Sequence, residues 1–409
     1  MNVIVQKFGG TSTRSIQTRQ NMYKHIKRAI EQGNKVVAVV SAMGRFDDPY
    51  ATDTLLSILN TDYLNNEEID RLTSIGETIS ALVVKSELCE LGYKVETVTN
   101  KELGIVTNTK HQSADIKKVE GNEIVKKLLE SDVVVCPGFQ GYSKYGKITT
   151  LGRGGSDLSA VAIGIAVEAN EVEIYSDVNG IYTADPRIVP DARKLDYISY
   201  YEMLELSNNG AKVLNHKCVE LAAKHNIVIH ARSSFDSKKG TYVIGDEKML
   251  KEHLNELVIS GVTGSQNEAR FTIIGIDANV NGAGILFEKI SEANINVHVY
   301  SQVLVGGGKM NLSFITDDKD VVKVNQVLEE LSGVLKAQKI IVRGNVGKVT
   351  IVGIGIKTNK GIFHRVYNTL MSHNIDVEMT SCSEINISCY IDRDDVKKAQ
   401  VLLHEEFLG

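Results

Sequence analysis

The stretch Thr150–Asp157 reads TLGRGGSD and runs straight into LSAVAIGIAVEA (158–169), a segment of small and aliphatic residues with the make-up of a buried helix. Glycines at 152, 154 and 155 admit left-handed backbone and let N–H groups come close to a ligand. Ser156 or Asp157 can cap the helix that follows, and a helix N-terminus with free N–H groups favours an anion. Arg153 adds a planar fork suited to a carboxylate or a phosphate. A purely structural glycine turn has the same spacing, and the turn is no P-loop, because G-x-x-x-x-G-K followed by Ser or Thr does not occur.

Two other stretches share this character. In IVQKFGGTS (4–12), Lys7 stands at the end of a strand-like run, and Gly9, Gly10, Thr11 and Ser12 lead into polar residues and a helix. Bare backbone beside a lysine suits phosphate oxygens and the charge that shifts during phosphoryl transfer. In YSDVNGIYTADPR (175–187), a tight VNG turn and a proline follow the strand-like EVEIYS, gathering Asp177, Tyr182, Asp185 and Arg187 in one loop. A surface hairpin is the plainer reading of that loop. Two anion turns in one α/β domain imply a protein that holds a nucleotide's phosphates and an anionic acceptor together.

Composition narrows the class. With 43% hydrophobic and 24% charged residues, 4 prolines and no tryptophan, the 409-residue chain has the profile of a globular protein too long for a single core. A net charge of −5 argues against nucleic acid as a partner. MNVIVQKFGG enters a strand without a basic leader or long apolar run, so a cytoplasmic protein with no membrane association is expected. Five cysteines without a C-x-x-C pair indicate neither a zinc site nor a disulfide framework, and the histidines show no ligand-like spacing, so no metal site is expected.

To about residue 245, the Val/Ile-rich runs VIVQKF, KVVAVVSAM, KVETVT, VVVCPGFQ, EVEIYSD and NIVIHA alternate with amphipathic or apolar helical stretches. That pattern predicts helices on both faces of a mainly parallel sheet, with ligands at the carboxyl ends of its strands. From about 265 the chain repeats itself. RFTIIGI (270–276) matches KVTIVGI (348–354), EANINVHVYS (292–301) matches SHNIDVEMTS (372–381), and NLSFITDDKDV (311–321) matches NISCYIDRDDV (386–396). Each copy reads strand, helix, strand, strand, helix. The second copy lacks a last strand, and NELVISGVTG (255–264) is expected to supply it, which makes the first copy an insertion within the second.

VQKFGGTS, VVSAMG, the TD of ATDTL, the GE of SIGE, LGRGGSD, YSDVNGIYTADPR, YEMLEL followed by GAKVL, and the tandem repeat together resemble the monofunctional aspartokinases of the amino acid kinase superfamily, over essentially the whole chain. The repeats resemble paired ACT domains. The resemblance implies an α/β fold: a three-layer αβα amino acid kinase domain over 1–245, a linker and strand over 246–264, and two ferredoxin-like βαββαβ ACT domains over 265–344 and 345–409.

It also implies roles. Lys7, Arg153 and Asp177 would be catalytic; Ser41, Thr52, Glu77, Arg153, Ser156 and Asp157 would bind L-aspartate. ATP would be held by Lys7, Phe8, Gly9, Gly10, Thr11, Ser12, Ser176, Asp177, Tyr182, Arg187 and Lys212, with Mg2+ bridging its phosphates. A feedback inhibitor (lysine, threonine or meso-diaminopimelate) would contact Asp277, Asn281, Asn296 and Val297 in one ACT unit and Glu378, Thr380 and Ser381 in the other, within a homodimer formed through the ACT domains. The chain departs from the family after GAKVL, where Asn215, His216 and Lys217 replace a usual H-P-R, and at Val280 and Asn281, where a P-G pair is common; the second repeat keeps Gly361. A kinase for another small anionic acceptor, and an amino-acid sensor with a decayed kinase domain, are the competing expectations. A fused homoserine dehydrogenase is not expected, as no dinucleotide-binding domain follows Gly409.

Overall fold

VIVQKF becomes the strand Val3–Phe8, central in a sheet of eight. The structure, a computed structural model, describes residues 1–245, 258–278 and 281–409. The chain packs into two units, one of Met1–Tyr182, Arg193–Asn208 and Lys212–Glu256, the other of Thr183–Ala192, Asn209–Ala211 and Leu257–Gly409.

In the first unit the sheet runs, strand by strand, Tyr197–Ser199, Thr241–Ile244, Ile229–Ser233, Glu171–Ser176, Val3–Phe8, Lys35–Val40, Val133–Pro137 and Val95–Thr97. Every neighbouring pair is parallel except Ile229–Ser233 with Thr241–Ile244. Val36 to Val40 are all fully buried, as a strand covered on both faces must be. On one face, Phe8, Val36, Ala38 and Val40 pack against Met22 and Ile26 of the helix Ile16–Glu31 and Val84 and Leu88 of the helix Ile75–Glu90. On the other lies the helix Gly155–Ala166, so close that a Cβ on Gly164 would stand 2.5 Å from Val172. These are the three layers expected.

A second, four-stranded sheet of Ile116–Val119, Ile105–Thr107, Gln140–Ser143 and Ile148–Thr150 also belongs to this unit. The sequence reading did not contain it, because strands of 3 or 4 residues are too short to display a period. Its last strand delivers the chain into LGRGGSD.

The second unit carries both repeats on one six-stranded antiparallel sheet, ordered Val299–Gly306, Lys309–Asp317, Gly261–Asp277, Lys339–Val352, Asn386–Asp392 and Met379–Cys382. Two long central strands make it continuous. Gly261–Ser265 pairs with Lys348–Val352 of the second repeat, and after irregularities at Glu268 the same strand pairs through Arg270–Ile274 with Lys339–Arg343 and through Ala269–Ile273 with Leu312–Thr316 of the first. Each repeat buries its own core under its own helices, Gly282–Glu292 and Val321–Glu330 in one, Ile362–Ser372 and Val396–Leu408 in the other. The linker read at 246–264 falls outside the described residues as far as 257, and Val280 lies outside them too.

Candidate active site

The parallel strands of the first unit end at a cleft of about 640 Å3. Lys7, Arg153 and Asp157 line it, together with Ser41, Thr52, Glu77 and Ser156. Residues separated by up to 150 positions in sequence thus share one cavity.

Local geometry explains how TLGRGGSD does this. Gly152 and Gly154 sit at φ of +78° and +74°, a region where side chains are strained. Gly154 is the N-cap of the helix Gly155–Ala166, correcting the expectation that Ser156 or Asp157 would cap it. A helix that starts on left-handed glycine leaves those two polar side chains in its first turn, free to line the cleft. Gly10 is equally constrained, since a Cβ there would lie 2.4 Å from the Gly44 carbonyl oxygen.

Charge is concentrated and mostly screened from solvent. The Lys7 Nζ approaches Asp157 Oδ1 to 2.6 Å, an ion-pair contact without hydrogen-bond alignment, with each side chain 12% exposed. Glu77 Oε1 accepts the Ala42 N–H at 3.1 Å, while its buried Oε2 has no partner. Burial pushes the Glu77 carboxyl up to about 8, against the smaller opposing effect of the Ala42 N–H. A neutral carboxyl facing the cleft is poised to ionise when a cation arrives.

The residues expected around the nucleotide are more dispersed. Of the glycine turn after Lys7, Gly10 borders the cleft, whereas the buried Ser12 hydroxyl lies 2.6 Å from that of Ser234. The Phe8 ring is core, stacked on Tyr175 at 4.8 Å, so only its backbone is available to a ligand. The Ser176 hydroxyl closes a local turn with Val178. Asp177 accepts from the Arg45 guanidinium at 3.0 Å, and Tyr182 bridges Lys194 by backbone. Arg187 forms a two-pronged pair with Asp185, in a segment that groups with the second unit. Lys212 belongs to the first unit and does not line the cleft.

Asp70 and Arg45, which also line the cleft, escaped the sequence reading. The fully buried Asp70 carboxylate accepts from His111 Nδ1 (2.7 Å), Gln112 N–H (3.1 Å) and the Thr150 N–H and hydroxyl (3.1 and 2.6 Å). It ties the helix Asn66–Thr73 to the residue from which TLGRGGSD departs. In the sequence it is one acid among several in NEEID, and nothing there marks it. Arg45 directly follows VVSAMG, and only its pairing with Asp177 gives it meaning.

Comparison with known proteins places the chain. The amino acid kinase family model matches residues 2–233 and an ACT domain model residues 349–407. The aspartokinase of Geobacillus stearothermophilus is 37% identical over 409 residues, covering 100% of this chain and 97% of that one. The chain belongs to the aspartokinase family. The aspartokinase of Helicobacter pylori (strain ATCC 700392 / 26695) is likewise 37% identical, over 98% of each chain. E. coli aspartokinase III, solved with aspartate and ADP, shares the fold at a TM-score of 0.80 and 21% identity, with 100% of both chains covered.

Against that family, the change to Asn215 acquires a geometry. Its Oδ1 accepts the Lys217 N–H as the N-cap of the helix His216–His225, and its Nδ2 donates to the Arg153 carbonyl at 2.9 Å. Asn215 also packs on Gly154, where a Cβ would come within 2.3 Å of its Nδ2. One side chain therefore fastens the glycine turn to the next helix.

Replacing Asp70 with Asn turns an amide N–H2 toward donors that now meet oxygen. The variant is expected to lose about 1–3 kcal/mol of stability, and an unchanged thermal midpoint would show that the carboxylate does not hold these segments together.

Proposed function

We propose that this chain transfers the γ-phosphoryl group of ATP to the side-chain carboxylate of L-aspartate, giving 4-phospho-L-aspartate and ADP, the first step towards lysine, threonine and methionine. The supporting observation is that Lys7, Glu77, Arg153 and Asp157 face a single cleft at the ends of the parallel strands. Arg153 clamps the α-carboxylate through its planar fork, and Glu77 with Asp157 receives the ammonium group. Ser41, Thr52 and Ser156 complete the acceptor pocket. The attacking carboxylate has a reference pKa of about 3.9, so it is ionised at neutral pH and needs no general base.

Lys7 carries the charge neutralisation. Its Nζ lies 2.6 Å from Asp157 Oδ1, and each group has a natural successor: the phosphoryl oxygens for the ammonium, the substrate's ammonium for the carboxylate. Gly9, Gly10 and Thr11 approach the phosphates with backbone N–H groups, while Ser176, Asp177, Tyr182, Arg187 and Lys212 are assigned to the nucleotide. Mg2+ would enter with the nucleotide as part of the substrate and would supply neutralisation of phosphate charge.

The ACT units are assigned regulation by an amino acid, with lysine, threonine and meso-diaminopimelate as the candidates. Asn281 caps the helix Gly282–Glu292, Glu378 is held by Arg270 and Arg343, and the Thr380 hydroxyl lies 2.6 Å from that of Tyr367. With Asp277, Asn296, Val297 and Ser381, these are the proposed effector contacts. The edge strand Val299–Gly306 exposes Tyr300, Val303, Leu304 and Val305, which favours a homodimer through this sheet. A cytoplasmic location is proposed, and no helix among the described residues is long and apolar enough to cross a membrane.

Incubation with ATP, Mg2+ and a panel of acceptors, trapping acyl phosphate with hydroxylamine, is expected to give product with L-aspartate; signal with another acid and none with aspartate would overturn the reading. The Glu77 carboxyl must ionise to receive the substrate's ammonium, so aspartate binding at pH 7 is expected to release a proton and to tighten as pH rises through about 8. Calorimetry in buffers of different ionisation enthalpy reads this directly, and heats independent of buffer would contradict it. Asn215→Asp keeps the helix cap and its dipole match but loses the donor to Arg153. It is expected to raise the KM for aspartate roughly 5–10-fold with little change in kcat or melting midpoint, and steady-state kinetics beside a thermal scan check the three together.

A further inference from the structure

Away from the cleft, the first unit's sheet has a polar row. In register, Gln6 stands beside Glu173, Glu173 beside His230, and His230 beside Tyr242, on four adjacent strands. Neighbouring strands lie about 4.8 Å apart and residues in one row project from the same face, so these side chains meet, with Glu171 two residues along on that face. The row borders a cavity of about 320 Å3, none of whose lining residues belongs to the cleft.

His230 is the anomaly in it. The residue is 4% exposed, its ring stacks on Tyr242 at 3.9 Å, and neither ring nitrogen has a hydrogen-bond partner. Nδ1 lies 3.8 Å from Glu171 Oε1 and 3.8 Å from Glu173 Oε1. That is too long for a hydrogen bond, yet it suits two ligands each about 2.1 Å from a shared ion. One ligand atom from each of the three residues lies within 4.8 Å of the others. The buried Gln6 Oε1, on the same row and also without a partner, is a second orphaned acceptor at the cavity. An imidazole nitrogen left bare in the interior costs free energy that an ion would recover.

We propose that Glu171, Glu173 and His230 form a binding site for a divalent transition-metal ion of the zinc class, separate from the magnesium that accompanies nucleotide. Imidazole with carboxylates suits such an ion better than Mg2+, which prefers six oxygens. Glu173 is held in orientation by Gln6 Nε2 (2.7 Å), the Tyr175 hydroxyl (3.0 Å) and Arg232 (2.5 Å). That guanidinium competes for the same carboxylate oxygen, so the site binds more weakly than a structural zinc centre. Arg28 and Lys239 also border the cavity and weaken it further.

The test uses the metal-stripped full chain without nucleotide, titrated with Zn2+ by calorimetry. One saturable equivalent and a raised melting midpoint are expected, with no such rise from Mg2+. Glu171→Gln, at a partly exposed position, should melt like the parent when metal-free yet bind zinc at least about tenfold more weakly, as should His230→Gln. Cobalt(II) should give visible absorption bands that His230→Gln abolishes. No saturable zinc binding, or binding undiminished in both variants because cysteines elsewhere take the metal, would overturn the proposal.

Discussion

The contact on which the first unit's cleft depends is the one between the end of the strand Val3–Phe8 and the first turn of the helix Gly155–Ala166, where Lys7 and Asp157 meet at 2.6 Å. Two opposite charges this shielded stabilise each other only while both segments keep their places. Removing either partner leaves the other uncompensated. The glycines are what permit the approach: Gly154 starts the helix in left-handed backbone, and Gly10 lets the opening turn pass against Gly44. A side chain at either position would push apart the surfaces the ion pair draws together.

Around that pair, the glycine turn is held by side chains that bond to the chain on either side of it. Asp70 anchors Thr150 below the glycine turn and Asn215 anchors the Arg153 carbonyl above it. Such a loop has few apolar contacts of its own and would otherwise be among the least stable segments. Glu77 contributes in the opposite sense. Burial raises its carboxyl to about 8, so a largely neutral acid faces the cleft at pH 7.

Much of this was legible in the sequence, and the reason is length and period. Runs such as KVVAVV and EVEIYS are fully or nearly fully buried along their course, so their hydrophobicity announces a doubly covered strand. The repeat units were equally plain, because strand and helix order could be read twice. What stayed hidden was set by side chains finding distant partners. Asp70 meets His111 and Thr150 across 41 and 80 positions, and no local pattern records that. The helix cap differs from the expectation for a related reason: Ser156 and Asp157 have capping chemistry, but glycine at 154 adopts the required backbone alone and leaves them to line the cleft.

The continuity of the second unit's sheet follows from the same physics. The first repeat supplies four strands of its own and the second only three, with Gly261–Ser265 as its fourth, so a long strand can serve both repeats if its pairing shifts on the way. The irregular pairing around Glu268 is that shift. Glu268 itself is buried there between His298 at 3.0 Å and Lys348 at 3.4 Å, and these partners hold its carboxyl below the usual range despite burial. His298 comes from the first repeat and Lys348 from the second. A charged hub thus sits where the apolar cores of the two repeats part, so a ligand that displaced either partner would leave a buried charge exposed to the other repeat. Glu268 thereby touches side chains of both repeats, and losing either cation would leave its buried carboxylate short of a partner.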